Sequence, residues 1–103
     1  MIKRFDIYDN ASLAVAQEIL PALGDKTRQE ILMLFYRQPE ACVTDIARHF
    51  KLSRPTISHH LNLMRRVRIL NSRKEGKEIY YSFNKEYVID TLNALVKLLH
   101  RCC

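Results

Sequence analysis

The sequence predicts a mainly α-helical domain with a single β-hairpin near its C-terminal end, and three observations carry that prediction. Apolar residues recur at helical spacing through most of the chain, capping residues stand where those runs begin, and one stretch alternates strictly around Glu75-Gly76. The 103 residues include only two glycines and three prolines. That is too few for long irregular linkers, so a single domain over 1–103 is expected.

A first helix is expected over about 10–20, with Asn10 as its cap and Leu13, Ala16, Ile19 and Leu20 recurring on one side. Pro21 should kink or end it, Gly24 reads as a terminal glycine, and Asp25 as the N-cap of a second helix from near Lys26. Its inward stripe is Ile31, Leu32, Leu34 and Phe35, and it stops at Gln38-Pro39 because a residue before proline avoids helical geometry. Thr44 is expected to cap a short third helix through Phe50, with Ile46, Ala47 and Phe50 inward. After the Lys51-Leu52 turn, Ser53 caps a fourth helix over about 54–67, whose Ile57, Leu61, Met64 and Val67 fall on one side.

Strands from Ile69 to Lys74 and from Lys77 to Phe83 flank Glu75-Gly76, with Ile79, Tyr81 and Phe83 alternating with Tyr80 and Ser82, so the hairpin covers about 69–83. Asn84 is then read as the cap of a last helix over about 85–101, rich in Val88, Ile89, Leu92, Leu95, Val96, Leu98 and Leu99.

Seventeen Lys and Arg against eleven Asp and Glu give a formal charge of +6, with a pI near 9.5. Such a balance favours a polyanionic partner, either nucleic acid or an anionic membrane surface. No apolar run approaches the roughly 20 residues that span a bilayer, and Met1-Ile2-Lys3-Arg4-Phe5-Asp6 lacks an apolar signal core. A soluble cytoplasmic protein is therefore expected, without a membrane partner. The three cysteines are odd in number and Cys102-Cys103 are adjacent, which suits reduced thiols better than a disulfide framework. With Gly24 and Gly76 as the only glycines, neither a phosphate-cradling loop nor a nucleophile elbow can form, so catalysis is not expected.

The order helix, helix, short helix, tight turn, polar-faced helix, basic hairpin, helix is that of a winged helix-turn-helix. The face of the fourth helix opposite its apolar stripe carries Ser58, His59, Asn62 and Arg66, with Arg54 and Thr56 at its start. A helix fits the major groove of B-DNA, where every base pair presents a distinct pattern of donors and acceptors that such side chains read. Between positions 65 and 77 lie Arg65, Arg66, Arg68, Arg73, Lys74 and Lys77 against Glu75 alone. This stretch places Arg73, Lys74 and Lys77 on the hairpin to meet phosphates as the wing. An isolated basic run is more often a solvated face. Here the helix-turn-helix immediately before it favours double-stranded DNA. The alternative is a dimeric winged-helix adaptor that binds protein without reading DNA, since fold does not fix function.

The runs Leu23-Gly24-Asp25-Lys26-Thr27-Arg28-Gln29-Glu30-Ile31-Leu32 and Leu52-Ser53-Arg54-Pro55-Thr56-Ile57-Ser58-His59-His60-Leu61 resemble the ArsR-type (ArsR/SmtB) metalloregulators. The resemblance covers about 22–83 and implies a homodimeric repressor that an inducer releases from its operator. It also implies dimerisation through the first and last helices, which carry Leu13, Ala16, Leu20 and Leu92, Leu95, Leu99. So wide an apolar face on the last helix independently suggests an interface.

Departures from the family stand out at the wing junction and at the inducer sites. Arg68 occupies the position after the recognition helix where the family usually has glycine, so the junction lacks glycine's tolerance of positive φ. Where arsenic sensors read Cys-Val-Cys-Asp, this chain reads Cys42-Val43-Thr44-Asp45 and keeps one thiol. The positions of the family's zinc site at the start of the last helix hold Lys85 and Tyr87, neither suited to a tetrahedral zinc site. The thiols of Cys42, Cys102 and Cys103 are numerically sufficient for a thiophilic metal or metalloid inducer, if the fold brings them together. Beyond such an inducer, the sequence points to no particular cofactor. His60 falls toward the apolar side of the fourth helix and is read as a packed, hydrogen-bonded histidine, whereas His59 points outward.

Overall fold

The computed structural model describes residues 2–102, with side chains described over 13–101. In chain order the elements are α1 (Ile2–Leu23), α2 (Lys26–Arg37), β1 (Glu40–Cys42), α3 (Val43–His49), α4 (Arg54–Arg66), β2 (Leu70–Glu75), β3 (Glu78–Phe83) and α5 (Lys85–Cys102). The core joins residues from nearly every element: Ile19, Ile31, Ile46, Ile57, Leu61, Met64, Ile69 and Leu70 are withdrawn from solvent. The periodicities of α2 and α4 thus bury the faces they predict, with Ile31 and Phe35 inward on one and Ile57, Leu61 and Met64 on the other. Asp25 caps α2 by accepting from the Arg28 amide, and Ser53 caps α4 by accepting from the Thr56 amide.

Helix α1 differs from expectation at both ends. It runs through Asn10, which is therefore no N-cap, and it contains Pro21 rather than stopping there. Proline removes the amide that would donate to the Gln17 carbonyl and crowds that preceding turn, and the helix continues only as far as Leu23 beyond it. The exposed carbonyls of that end are also satisfied by the next helix. Arg28 donates from Nε to the Ala22 carbonyl at 2.7 Å and from Nη2 to the Pro21 carbonyl at 3.3 Å. Gln29 donates from Nε2 to the Leu23 carbonyl at 2.6 Å. These bonds complete the helix terminus without a left-handed glycine. Gly24 instead suits a close approach, since a Cβ there would lie 3.3 Å from the Leu20 carbonyl oxygen, tighter than ordinary contact.

A third strand, β1, was not anticipated. Its three residues pair antiparallel with β3, in the register Glu40 to Ser82, Ala41 to Tyr81 and Cys42 to Tyr80, giving the sheet order β1-β3-β2. The strand also shifts the start of α3. Cys42, not Thr44, is the N-cap, and Asp45 reaches back to accept from the Cys42 amide at 3.2 Å. In the hairpin Glu75 faces Glu78, leaving Gly76 and Lys77 as a two-residue loop. Gly76 has φ 62, and positive φ at the first loop position alone is the pattern of a type II′ turn, which favours glycine there.

The junction from α4 to β2 closes around Arg68, whose φ is 67. The Ile69 amide donates to the Met64 carbonyl at 2.8 Å and the Arg68 amide to the Arg65 carbonyl at 3.0 Å. This is a Schellman ending with arginine in the left-handed position that glycine usually fills. Asn84 holds it from the far side of the hairpin: its amide nitrogen Nδ2 donates to the Arg68 carbonyl at 2.9 Å, and its backbone N–H to the Ile69 carbonyl at 2.9 Å. Asn84 stands at the N-cap position of α5, as the sequence suggested, with its carbonyl accepting from the Val88 amide at 3.2 Å, while its side chain binds the wing's base. A non-glycine residue in the left-handed region costs about 1–2 kcal/mol, against about 0.5–1 kcal/mol of extra unfolded-state entropy for glycine. Arg68→Gly should therefore stabilise the fold by up to about 1 kcal/mol. Urea unfolding of the two proteins at matched concentration checks this; a lower midpoint for the glycine variant would contradict it.

Candidate nucleic-acid interface

Helix α4 presents two faces because its apolar residues keep to one side. Opposite Ile57, Leu61 and Met64, the side chains of His59, Asn62 and Arg66 are exposed together, with Pro55 on the same face. Ser58 is half-buried at the edge of that face, while Arg54 and Thr56 are exposed at the helix start. Thr56 is held there, its hydroxyl 2.9 Å from the Ser53 hydroxyl. Arg54 donates from Nη1 to the Thr44 hydroxyl at 3.0 Å, tying the start of α4 to α3. Thr44, read from the sequence as a cap, therefore braces the angle between the two helices.

The expected wing residues fall into two groups. Lys74 and Lys77 are exposed near the hairpin tip, and among the described residues neither takes part in an ion pair or hydrogen bond. Arg73 is already engaged. Its guanidinium forks onto Glu40, Nε to Oε2 at 2.8 Å and Nη2 to Oε1 at 2.9 Å, while Nη1 donates to Glu75 at 2.9 Å. It also lies over the Tyr80 ring, 4.9 Å from the centroid. Hydrogen bonds to Glu40 and Glu75 hold the Arg73 pKa above its ordinary value, and the same fork lowers that of Glu40. Arg73 thus clamps β2 to β1 across β3, with its charge offset by two carboxylates. The sequence shows a basic run but not its partner, because Glu40 is distant along the chain and reaches Arg73 only through the sheet register.

Arg28 and His60 complete the support of α4. Arg28 Nη1 lies 3.3 Å from His60 Nδ1. Arginine carries only donors, so in this contact Nδ1 can only accept, which requires the neutral ring with its proton on Nε2. Burial lowers the His60 pKa, Asp25 opposes that shift, and Arg28 and His59 reinforce it. His60 is therefore the packed, hydrogen-bonded histidine that its position suggested. The role of Arg28 was not legible from its place in the Asp25-Lys26-Thr27-Arg28 run.

The thiols do not form a described cluster. Cys42 is buried and donates from Sγ to Asp45 Oδ2 at 3.4 Å. Asp45 is held below the usual carboxylate range, chiefly by the Cys42 amide, with further help from the Cys42 thiol, Arg48 and Gln38. The Cys102 side chain and Cys103 lie outside the described residues. Among the described residues, no group of three or more His, Cys, Asp or Glu is arranged to hold a metal ion. Lys85 is exposed and Tyr87 half-buried, and Tyr87 offers its backbone carbonyl to the Thr91 hydroxyl at 2.9 Å.

Of the expected interface between subunits, Leu20 and Leu99 are exposed, Leu13 and Leu95 half-buried, and Leu92 packs against the core. Ala16 is buried within the subunit. Ile89 and Val96 join the exposed set, so that Ile89, Leu92, Val96 and Leu99 recur at the 3-4-3 spacing of a helix-pairing seam. No helix among the described residues is long and apolar enough to cross a membrane.

Residues 25–72 match the family model described as bacterial regulatory protein, arsR family. The chain is 34% identical over 83 residues to the transcriptional repressor SdpR of Bacillus subtilis, covering 81% of this chain and 91% of that protein. It is 34% identical over 87 residues to the arsenical resistance operon repressor of Staphylococcus aureus, covering 82% and 83%. Among solved structures, an ArsR-like transcriptional regulator from Rhodococcus sp. RHA1 superposes with a TM-score of 0.79 at 27% identity, over 88% of this chain and 85% of that one.

The two kinds of wing cation should separate by experiment. Lys74→Ala should weaken DNA binding and reduce its salt dependence by about one unit of slope. Arg73→Ala should instead lower the unfolding midpoint while changing the salt slope by less. Titrations across a salt series, paired with thermal unfolding, test both; equal slope losses would place Arg73 among the phosphate contacts.

Proposed function

This chain belongs to the ArsR family of bacterial regulatory proteins and is a DNA-binding transcriptional repressor, and we propose that it acts in the cytoplasm as a homodimer on an inverted-repeat operator. One observation carries the docking: the exposed His59, Asn62 and Arg66 share a face of α4 on the same subunit as the unpaired Lys74 and Lys77 of the wing. A helix bearing donors and acceptors enters the major groove, and cations at a hairpin tip meet phosphates alongside. In this reading Arg54, Thr56 and Ser58 flank the base-reading face, while Arg73 shapes the wing that carries the lysines.

The second subunit is supplied by α1 and α5. Leu20, Ile89, Val96 and Leu99 leave apolar surface on the two helices that pack together within one chain. A second copy buries that surface and sets two recognition helices about one DNA turn, roughly 34–36 Å, apart.

For release, the thiols and the name of the staphylococcal relative point to a thiophilic signal, such as a soft metal ion, a metalloid or thiol oxidation. Cys42, bonded to Asp45 at the start of α3, is the described thiol. Movement of Cys42 would reach α4 through Thr44 and Arg54.

Selection from a random duplex library at two salt concentrations, with and without arsenite, zinc and a mild thiol oxidant, tests docking and release together. An enriched inverted repeat that one effector abolishes is the expected result; no enrichment at either salt would overturn the reading in favour of a protein-binding adaptor. On the selected site, Arg66→Ala should weaken binding without unfolding the protein. His59→Ala should cost about 1–3 kcal/mol more on the operator than on random DNA.

Sedimentation equilibrium tests the pairing. Leu99→Glu combined with Val96→Glu should shift the chain from dimer to monomer at micromolar concentration and weaken operator binding; a dimer that persists would place the interface elsewhere.

A further inference from the structure

Taking α4 as the helix that reads DNA, as proposed above, we infer that Arg28 and His60 position it through a proton-sensitive latch. The geometry is specific to the neutral ring. Arg28 uses three guanidinium nitrogens at once: two hold the Ala22 and Pro21 carbonyls at the end of α1, and the third donates to His60 Nδ1 on α4. The same residue's amide donates to Asp25, so the bonds of one side chain and its backbone join the end of α1, the start of α2 and the middle of the recognition helix.

Protonation of His60 at Nδ1 removes its acceptor and sets two cations face to face. The groups that face the ring are Arg28 and Asp25 from the start of α2 and His59 from α4 itself, whose ring centroid is 5.9 Å away. An imidazolium would be repelled by Arg28 and drawn to Asp25, the residue that caps α2. The latch would therefore open by exchanging partners, and α4 would keep its tie to α3 through Arg54 and Thr44 while losing its tie to α1 and α2.

The sign follows from the ring's environment. Burial, with Arg28 and His59, lowers the His60 pKa below its ordinary 6.5, so the folded protein binds fewer protons than the unfolded chain between the two values. The contribution to stability is fully present above about pH 6.5 and is lost as pH falls through the lowered folded value. If DNA docking needs the latched position, operator affinity falls over the same range, by at most about tenfold per pH unit for one linked proton.

His60→Asn supplies the decisive variant, because its side-chain oxygen can accept from Arg28 and does not titrate. Operator affinity of the native chain should fall between pH 7.5 and 5.5. The His60→Asn chain should match it at pH 7.5 and stay level. Nitrogen NMR of the native protein should show His60 as the Nε2–H tautomer with a titration midpoint below 6.5.

Parallel pH profiles for the native and His60→Asn chains would overturn the latch, and so would an Nδ1–H tautomer. If His60→Asn does not fold, the tautomer and midpoint in the native protein decide. Absence of operator binding by the native chain at pH 7.5 would instead overturn the docking of α4. The pH dependence of unfolding and the His60 titration would then judge the latch by themselves.

Discussion

The guanidinium of Arg28 is the constraint on which the arrangement of helices depends. Helix ends leave carbonyls that must find donors, and the end of α1, with proline in its last turns, leaves them where α2 begins. Arg28 satisfies two of them and still reaches His60. Its own place is fixed because Asp25 caps α2 through the Arg28 amide. A fork of planar donors can serve three acceptors in three directions, which the single ammonium of lysine cannot reproduce with the same geometry. The orientation of the recognition helix is thus set partly by a side chain that does not lie on its exposed face.

The wing is positioned by the same kind of economy. Arg68 takes a left-handed conformation so that β2 can leave α4 at once, and Asn84 ties the far end of the hairpin back to that corner. Arg73 then spans the sheet to Glu40, fixing the strand that leads into α3. A basic stretch that looks uniform in sequence therefore divides by neighbourhood. Arg73 is neutralised by two carboxylates, while Lys74 and Lys77 project into solvent with their charge uncompensated. Only cations of the latter kind release counterions fully when they meet a phosphate.

Cys42 shows how position changes the chemistry of a residue type. On the sequence it is one of three thiols available to a soft ligand. In the fold it ends β1, caps α3 and donates to Asp45. Reactive cysteines occupy electropositive, partly exposed surroundings, and Cys42 is buried beside a carboxylate. Ligand binding at this thiol would have to break the Asp45 contact, and that contact organises the first turn of the helix that braces α4.

The sequence alone determined the helices α2 and α4, their caps at Asp25 and Ser53, the hairpin around Gly76 and the polar face of His59, Asn62 and Arg66. Each of these is written locally, in a period, a cap or a turn residue, and the family resemblance rests on the same local runs. Tertiary structure decided what depends on partners distant in the chain. Strand β1 is three residues long and exists because β3 offers it an edge, so no periodicity announces it. Helix α1 runs past Pro21 because Arg28 and Gln29 supply its terminal donors. Asn84 carries a cap residue's signature, yet its amide serves Arg68, and Arg73 carries a phosphate-binding residue's charge, yet it serves Glu40. A side chain's type states which bonds it can make, and only the folded chain decides which acceptor is within reach.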